Sequence, residues 1–470
     1  MKETRISSRQ GILDEEMLNL LRKYDKPGPR YTSYPTAPIF KPEFGAEQFT
    51  TAIDETNREN SAPLSLYFHL PFCETLCYYC GCTMLVSNNR DKISEYTRIL
   101  KQEIDLLSVI ISPSRQVEQV HWGGGTPTQH TPSEITDLAA YINKKFRIHP
   151  DAEISVEVDP RRLSNDHLLA LRDGGFNRVS LGIQDFDDKV QEAVNRIQPE
   201  QVTKQVIDWC KSIGFSSINM DLIYGLPRQT VKSFERTVDE VIKISPDRIA
   251  VYSFAYVPWM KPHQKLISDS DLPTPREKLS ILAMATNKFI EAGYVYIGMD
   301  HFAKANDSLT LAQKTKRMQR NFQGYSTKAD MDLFGLGMSS ISHFGNYYAQ
   351  NAKIPNDYYK SILSGKFATR VGYSMTKDDV LRKHVIMRLM CDLSLSKRTV
   401  EKKFNVSFDD YFGESIGKLQ PLIEDGLVEN TYDSIIITQN GRFFIRNIAM
   451  CFDAYLPSMV KEKPIFSRTV

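Results

Sequence analysis

Four of the chain's seven cysteines lie within ten residues, between Cys73 and Cys82. They follow an apolar run that begins at Leu64. Thiolates are soft ligands, and a dense group of them without a second cysteine cluster is typical of iron–sulfur binding. The spacing of Cys73, Cys77 and Cys80 provides three thiolates, enough for three corners of a cubane cluster. The fourth iron then stays open for a substrate or cofactor, as one position does at a catalytic zinc.

Two other roles fit these cysteines less well. A structural zinc site pairs two short ligand motifs across a longer stretch, whereas the next cysteine along this chain is Cys210. A disulfide framework is typical of small secreted domains in an oxidising compartment. Cys210, Cys391 and Cys451 stand alone in apolar surroundings, as buried structural cysteines do. The sequence therefore favours an iron–sulfur centre.

From residue 64 the sequence alternates short apolar runs with amphipathic stretches, a pattern typical of parallel βα units. The six predicted strands are Leu64–His69, Gln119–Trp122, Glu153–Val158, Arg178–Ile183, Ile218–Ile223 and Ile249–Phe254. The predicted helices between them are Ile93–Val109, Pro132–Phe146, Asp166–Gly174, Gln201–Ile213 and Thr230–Ile244. Six units are too few for the eight-fold barrel. The predicted fold class is therefore α/β, a partial (β/α)6 TIM-like barrel with a wide mouth.

Polar or glycine residues follow each predicted strand where the chain leaves it. They are the cysteine loop, Gly123–Gly125, Glu157 with Asp159, Gln184 with Asp185, Asp221, and Ala255 with Tyr256. A single carboxylate at a strand end is often only the cap of the next helix, and a glycine run is often only a tight turn. Six such positions in register favour an active site, because βα barrels build their sites at the carboxyl ends of their strands.

The N-terminal region predicts a helix followed by an extended strap. Asp14 is the predicted N-cap of a helix that ends at Tyr24. The segment 27–38 contains four prolines, which exclude regular helix and force an extended backbone. Arg30, Tyr31 and Tyr34 lie between these prolines and favour a strap over a site rather than a simple linker.

The C-terminal region, from about Thr376, predicts helix–helix–helix–strand–helix, with the strand at Ser434–Ile437 and the last helix at Gly441–Leu456. This order is winged-helix-like, but the third helix has several acids and only Lys418 as a base. Phosphate binding requires more lysine and arginine, so a packing or lid domain is favoured over DNA binding. The predicted domains are 1–55 (N-terminal helix and strap), 56–375 (partial barrel with post-barrel segment) and 376–470 (mostly helical domain).

The overall composition excludes several classes of protein. The net charge is only +2, so bulk affinity for nucleic acid is not expected. The N-terminus lacks the apolar core of a secretory signal, and no stretch reaches the ~18 apolar residues of a membrane span. The cysteine pattern also indicates free thiols rather than disulfides. Together these features predict a cytoplasmic protein.

Several motifs together resemble one family. They are PGPRYTSYPTAP, YFHLPFC, CYYCGC, GGGTPT, SVEVDP, SLGIQDF, INMDLIYGLP, MDHFAK and RNFQGY, spread over residues 27–342. The cysteine spacing after the first strand and the glycine motif after the second resemble radical S-adenosylmethionine (SAM) enzymes. The whole set resembles the oxygen-independent coproporphyrinogen III oxidases, and the final domain agrees with them in length and character.

The resemblance implies roles for individual residues. Cys73, Cys77 and Cys80 match the ligands of a [4Fe–4S] cluster, and Cys82 matches a cysteine that the family requires but that does not ligate the cluster. Two molecules of SAM are implied. Contacts to the one at the open iron match Tyr67, Gly124, Glu157 and Ile341. Contacts to the second match Tyr79, Gly125, Thr126, Gln184, Arg196, Asp221 and Ala255, with the departure that position 79 is tyrosine instead of phenylalanine.

The implied reaction is oxidative decarboxylation of two propionates of coproporphyrinogen III to the vinyl groups of protoporphyrinogen IX, in anaerobic haem biosynthesis. One electron from the cluster would cleave SAM, and the resulting 5′-deoxyadenosyl radical would take hydrogen from a propionate β-carbon. The implied partners are a reductant such as flavodoxin or ferredoxin and an unknown final electron acceptor, and the chain is expected to be a monomer.

A substrate with four carboxylates requires cations at the mouth of the site. The candidates, from the strap and the post-barrel loops, are Arg30, Lys261, His263, Lys304 and Arg320. Each of them is more often explained as a solvated surface group.

Three alternatives remain on the sequence alone. One is a related radical enzyme that modifies haem, and another is a non-catalytic haem-carrying relative. Cys82 and the proline-rich strap favour the oxidase over both of these. A cluster-dependent DNA regulator depends only on the winged-helix-like end of the chain.

Overall fold

The computed structural model describes residues 13–59, 62–459 and 466–469 of the chain. The strands are β1 Leu64–Leu70, β2 Phe72–Cys73, β3 Leu85–Val86, β4 Val117–Gly124, β5 Ile148–Val158, β6 Arg178–Gln184, β7 Ser217–Tyr224, β8 Arg248–Ser253, β9 Val295–Gly298, β10 His301–Ala303, β11 Gln319–Asn321, β12 Gly324–Ser326, β13 Asp332–Leu336, β14 Ile341–Phe344, β15 Tyr347–Asn351, β16 Thr369–Ser374, β17 Ser394–Ser396, β18 Val428–Asn430 and β19 Ser434–Ile437.

The helices alternate with the strands in the first half of the chain and dominate its end. They are α1 Glu15–Tyr24, α2 Ala46–Glu59, α3 Arg90–Ile110, α4 Pro132–Lys145, α5 Asn165–Asp173, α6 Asp188–Ala193, α7 Glu200–Ile213, α8 Val231–Ile244, α9 Pro275–Glu291, α10 Ser308–Lys314, α11 Pro355–Leu363, α12 Lys377–Asp392, α13 Lys397–Phe404, α14 Phe408–Tyr411, α15 Gly413–Glu424 and α16 Ile445–Met450.

One twelve-stranded sheet organises the molecule, in the order β16-β15-β14-β13-β1-β4-β5-β6-β7-β8-β10-β9. Its centre is the parallel run β1-β4-β5-β6-β7-β8, with β13 parallel to β1 on the outer side. Antiparallel strands extend both edges. The six predicted strands are the six of the parallel run, so the α/β class with a parallel core is confirmed. Closure into a partial barrel stays a prediction.

The local sequence explains why these elements form. Six of the seven residues of β1 are buried, as expected for a parallel strand covered on both faces. The helices that follow the strands begin at side-chain caps. Thr131 and Thr230 each form a reciprocal capping box with the residue three positions on, which satisfies free amides of the first turn. The amphipathic helices then bury their apolar faces in the main core.

A second core joins the two ends of the chain. Met17, Leu18 and Leu21 of α1 pack with α12, α15 and α16 in one apolar cluster. The predicted N-cap is confirmed, since the Asp14 carboxylate accepts a hydrogen bond from the Met17 amide at 3.0 Å. The N-terminal helix is therefore part of the same core as the C-terminal helices, and the domain boundaries at 55/56 and 375/376 stay predictions.

The strap is anchored by its tyrosines. Tyr31 and Tyr34 are buried in this second core, where the Tyr31 hydroxyl donates to Asp453 at 2.8 Å. The Tyr34 hydroxyl accepts from the Ala454 amide at 3.0 Å. Both aromatic rings thus fasten the strap to the C-terminal region, and Arg30 extends the other way, over the ring of Tyr252.

The C-terminal region differs from its prediction in the additional short helix α14, in its strands and in its last helix. It contains a three-stranded antiparallel sheet, β17-β19-β18, of which only β19 was predicted. The last helix was predicted over Gly441–Leu456, but only Ile445–Met450 is α-helical. The Asp453 carboxylate accepts hydrogen bonds from the amides of Tyr455 and Leu456, which turns the chain out of the helix. Within the described parts of the chain, no helix is long and apolar enough to cross a membrane.

Candidate active site

A cavity of about 950 Å³ lies at the carboxyl ends of the parallel strands, where the sequence predicts the site. Most of the predicted site residues line it. They are Cys73, Cys77, Tyr79, Cys80, Cys82, Gly124, Gly125, Thr126, Glu157, Gln184, Arg196, Asp221 and Ala255. The fold therefore gathers residues that are up to 182 positions apart in sequence, Cys73 and Ala255 being the first and last of them.

The cysteine loop supplies free thiols to this cavity. Hydrogen bonding from Cys82 lowers the pKa of Cys80 to about 6, against the effect of burial. Burial raises the pKa of Cys73 to about 11, although a hydrogen bond with the Thr126 hydroxyl at 3.5 Å lowers it. The Cys82 side chain is exposed. It lines the same cavity as the predicted cluster ligand Cys80.

The three predicted ligands fit a cluster better than a single ion. Among the described residues, no three His, Cys, Asp or Glu side chains converge as the ligands of one metal ion would. A cubane cluster has a different requirement, because each thiolate binds a different iron. Cys73, Cys77 and Cys80 each reach the same cavity from separate points of one loop, and this donor set suits iron–sulfur chemistry.

The cysteine loop is held from two sides. His69 bonds through Nε2 to the Thr83 carbonyl oxygen at 2.8 Å. From the segment after β8, Lys261 donates to the Cys82 carbonyl at 2.9 Å and His263 bonds to the Cys80 carbonyl at 2.7 Å. Lys261 and His263, predicted to bind substrate carboxylates, are thus engaged with the backbone of the loop. Their placement supports a role in positioning the cysteines.

The glycine run after β4 permits close packing of protein against protein. A Cβ on Gly124 would lie 2.5 Å from the His69 ring, and one on Gly125 would lie 2.4 Å from the Pro71 backbone. Gly124 also has φ +111°, which side-chain-bearing residues rarely adopt. These glycines therefore bring the end of β4 against the start of the cysteine loop.

We expect Gly125→Ala to destabilise the fold, since its methyl group can be accommodated only if the backbone at Pro71 shifts. Such overpacking costs about 1–3 kcal/mol, to be measured by urea unfolding. Gly417→Ala is the control, because nothing lies within 4 Å of its added Cβ. Equal stability of the two variants would contradict the packing role of Gly125.

Two acids that line the cavity differ in their protonation. Burial opposes ionisation of Glu157, but His121 at 3.4 Å and the Gly124 amide at 3.0 Å lower its pKa. Burial raises the pKa of Asp221 to about 6, although Ser180 and Asn219 both donate to it at 2.8 Å. Glu157 is therefore an anion at neutral pH, while Asp221 becomes protonated as the pH falls through about 6.

Two of the residues predicted to contact SAM are not among those lining the cavity. The Tyr67 ring stacks on His121 at 5.9 Å, and its hydroxyl lies 3.0 Å from His69 Nδ1. Ile341 begins β14 and packs beside Phe40. Tyr67 thus contacts His121 and His69, and Ile341 lies on the edge extension of the sheet.

The remaining predicted cations have different surroundings. Arg30 forms an ion pair with Asp300 and keeps 31% of its side chain exposed. Arg320 is buried and donates to the Arg30 carbonyl at 3.1 Å. For Lys304 the prediction is wrong. It donates to the Ser245 carbonyl at 2.8 Å, beside the amino end of β8, which is the opposite edge of the sheet.

Sequence reasoning missed several residues of the site. His121, Tyr252 and Arg161 were not predicted, yet the first contacts Glu157 and the other two line the cavity. His121 could have been recognised as a polar side chain inside an apolar strand. In the structure it bonds to Ser155 of the next strand at 2.6 Å.

Comparison with known proteins agrees with this geometry. Residues 67–241 match the model of the Radical SAM superfamily, and residues 375–444 match that of the HemN C-terminal domain. The chain is 43% identical over 455 residues to the oxygen-independent coproporphyrinogen III oxidase of Synechocystis, covering 96% of this chain and 97% of that one. It is 44% identical over 453 residues to the Escherichia coli protein of the same name, covering 96% and 98%. A solved structure described as coproporphyrinogen III oxidase (HemN) from Escherichia coli, a radical SAM enzyme, aligns with a TM-score of 0.90 at 42% identity, over 95% of this chain and 100% of that one.

Proposed function

This chain belongs to the oxygen-independent coproporphyrinogen III oxidases of the radical SAM superfamily, and we propose that it decarboxylates coproporphyrinogen III oxidatively to protoporphyrinogen IX. The superfamily implies a [4Fe–4S] cluster and SAM. The observation that carries the proposal is the meeting of three spaced thiols, Cys73, Cys77 and Cys80, with two acids in one cavity at the sheet's carboxyl edge.

Cys73, Cys77 and Cys80 would hold the cluster, and Cys82 stays free beside them. When bound, the cluster and SAM supply one-electron cleavage and a radical able to remove hydrogen from an unactivated carbon. The chain's own task is to fix the loop geometry and to keep other hydrogen donors away from the site. The contacts of His69, Lys261 and His263 with the loop backbone support that task.

Two molecules of SAM suit the arrangement of charges. Glu157, kept ionised, can accept hydrogen bonds from the amine of the first molecule, with Gly124 beside it. Tyr67 and Ile341 are proposed to contact the same molecule. Arg196 offers a cation for the carboxylate of the second, together with the other residues matched to that molecule: Tyr79, Gly125, Thr126, Gln184, Asp221 and Ala255.

The substrate's carboxylates find cations in Arg30 and Arg320. Arg320 Nη1 and His301 Nδ1 are buried without a hydrogen-bond partner in the described part of the chain. Burial and the two arginines hold the pKa of His301 well below its usual value, so the histidine is neutral. Asp300 supplies one nearby carboxylate, at Arg30. A propionate beside Arg30 and Arg320 would neutralise the positive charge that Asp300 leaves unpaired.

We expect Arg320→Gln to raise the KM for coproporphyrinogen III roughly 10- to 100-fold, because a hydrogen bond to a charged group contributes about 1.5–3 kcal/mol. Formation of 5′-deoxyadenosine at saturating substrate should persist. Lys304→Gln is the matched control, since Lys304 lies at the opposite edge of the sheet. A loss of 5′-deoxyadenosine in Arg320→Gln with unchanged KM would contradict the assignment.

The direct test of the proposed activity is an anaerobic assay. It combines the reconstituted chain, a low-potential reductant, SAM and coproporphyrinogen III, and measures protoporphyrinogen IX and 5′-deoxyadenosine together. Formation of both is expected. Haem binding without turnover would favour a haem-carrying relative instead.

The architecture around the site supports two further proposals. The parallel run β1-β4-β5-β6-β7-β8 supports an open partial barrel around the cavity. The helices and the small sheet after Thr376 support a winged-helix-like packing domain. We also retain a monomer and a flavodoxin- or ferredoxin-type reductant as proposals.

A further inference from the structure

Two arginines and one aspartate surround the sulfur of Cys77. Arg161 Nη2 and Arg196 Nη1 each donate to Cys77 Sγ at 3.7 Å. The same two nitrogens bind Asp159 Oδ2, at 2.7 Å from Arg161 and 2.9 Å from Arg196. All three side chains lie largely inside the protein, with exposed fractions of 17%, 8% and 10% for Arg161, Arg196 and Asp159. Two guanidinium groups, joined by one carboxylate, therefore contact this sulfur.

The charges of this cluster do not cancel without the sulfur. Two guanidinium groups face one carboxylate, and the neighbouring Arg162 is neutralised by Glu74 at 2.5 Å. Buried charges are normally paired, so the extra positive charge requires an anion. As a cluster ligand, the sulfur of Cys77 would supply it, since both guanidinium groups donate to it.

The position of each charge is tightly fixed. Besides the shared carboxylate, Arg161 Nε bonds to both oxygens of Asp159, at 3.0 and 3.1 Å. Arg196 Nη2 donates to the Gly182 carbonyl at 2.6 Å. Because bidentate guanidinium–carboxylate pairs add geometric precision as well as energy, the two N–H donors cannot readily turn away from the sulfur.

We propose that Arg161, with Asp159 as the carboxylate that orients it, sets the reduction potential of the cluster through Cys77. The inference depends on the cluster of the proposed function being ligated by Cys77. Potentials of iron–sulfur clusters follow the net charge around them and the hydrogen bonds to their sulfurs. The one-electron reduced cluster carries an additional negative charge, so a cation and an N–H donor at Cys77 Sγ stabilise it more than the oxidised form.

The sign of the effect differs between the two partners. Removing the Arg161 cation makes the cluster harder to reduce, so its midpoint potential falls. Removing the Asp159 anion leaves two positive charges beside Cys77, so the midpoint potential rises. Arg161 is a positioning and tuning residue, since it contacts a cluster ligand and not the reacting atoms.

The test is a mediated EPR redox titration of the reconstituted full chain without SAM, so that no bound cofactor occupies Arg196. Arg161→Gln is expected to lower the ratio of reduced to oxidised cluster about tenfold at the wild-type midpoint, equivalent to about 59 mV for one electron. Asp159→Asn is expected to shift the midpoint upwards. Arg162→Gln is the matched control, because Arg162 bonds to Glu74 and makes no hydrogen bond to a sulfur within the described residues.

The outcomes separate this inference from the proposed function. A chain that assembles no cluster contradicts the proposed function itself. Only the inference is overturned if the wild type has normal iron and sulfide content and the three variants keep its midpoint potential. These variants are Arg161→Gln, Asp159→Asn and Arg162→Gln. Shifts of the same sign in Arg161→Gln and Asp159→Asn also overturn it. If one variant fails to fold, the other still gives a defined sign.

Discussion

Cys80→Ala is expected to leave the protein without its iron–sulfur cluster and with no detectable decarboxylation. Three thiolates hold three of the four irons of a cubane and leave the fourth open, and Cys73 and Cys77 alone cannot hold three corners. Iron and sulfide content after anaerobic reconstitution, with the absorbance of the cluster, measures the first effect. The yield of protoporphyrinogen IX measures the second.

The control for this variant is Cys451→Ala. Cys451 is buried in the second core, away from the cavity, and its thiol donates to the Asn447 carbonyl at 3.4 Å. It should retain full iron content, with a modest loss of stability from the small cavity created. A complete, active cluster in Cys80→Ala would show that the ligand set is wrong.

Cys82→Ser is expected to keep the cluster and to lose decarboxylation by about 100-fold or more, the scale at which a positioned proton-transfer group acts. Cys82 is exposed to the cavity, lies beside Cys80, and its backbone is fixed by Lys261. We propose that it acts near the reacting atoms without ligating iron.

Two measurements separate the roles open to Cys82. Iron content and the absorbance of the cluster should equal those of the wild type, while the rate of product formation falls. If iron is lost in Cys82→Ser, then Cys82 is a ligand. If the full rate is retained, the thiol has no part in the reaction.

The fold's parallel core could be predicted because its signals are local. Each of the six strands is a short apolar run, and Thr131 and Thr230 mark helix starts with capping boxes. The small C-terminal strands β17 and β18 could not be predicted, because each has three residues. They form only through antiparallel pairing with β19, which is a tertiary effect.

The site could be predicted where residues follow a strand, and not where they depend on packing. Polar residues at strand ends were found because parallel strands share a carboxyl edge. Lys304 was misplaced because β10 runs antiparallel to β8 and carries the chain to the opposite edge. The role of Arg161 depends on the orientation given by Asp159, which no spacing in the sequence records.

The glycine run shows a similar limit. The sequence places Gly123–Gly125 either at the predicted site or in a tight turn. In the structure, the space that their side chains would fill is occupied by Glu157, His69 and Pro71. The type of residue could be read from the sequence, whereas the atoms it accommodates depend on the pairing of β1 with β4.

The most direct test of the account is EPR spectroscopy of the anaerobically reduced, reconstituted protein before and after addition of SAM. If three thiolates leave one iron open in this cavity, SAM should bind that iron and change the spectrum of the reduced cluster. The same change should occur in Cys82→Ser. An identical spectrum with and without SAM, in protein with full iron and sulfide content, would show that no iron of the cluster is open to SAM.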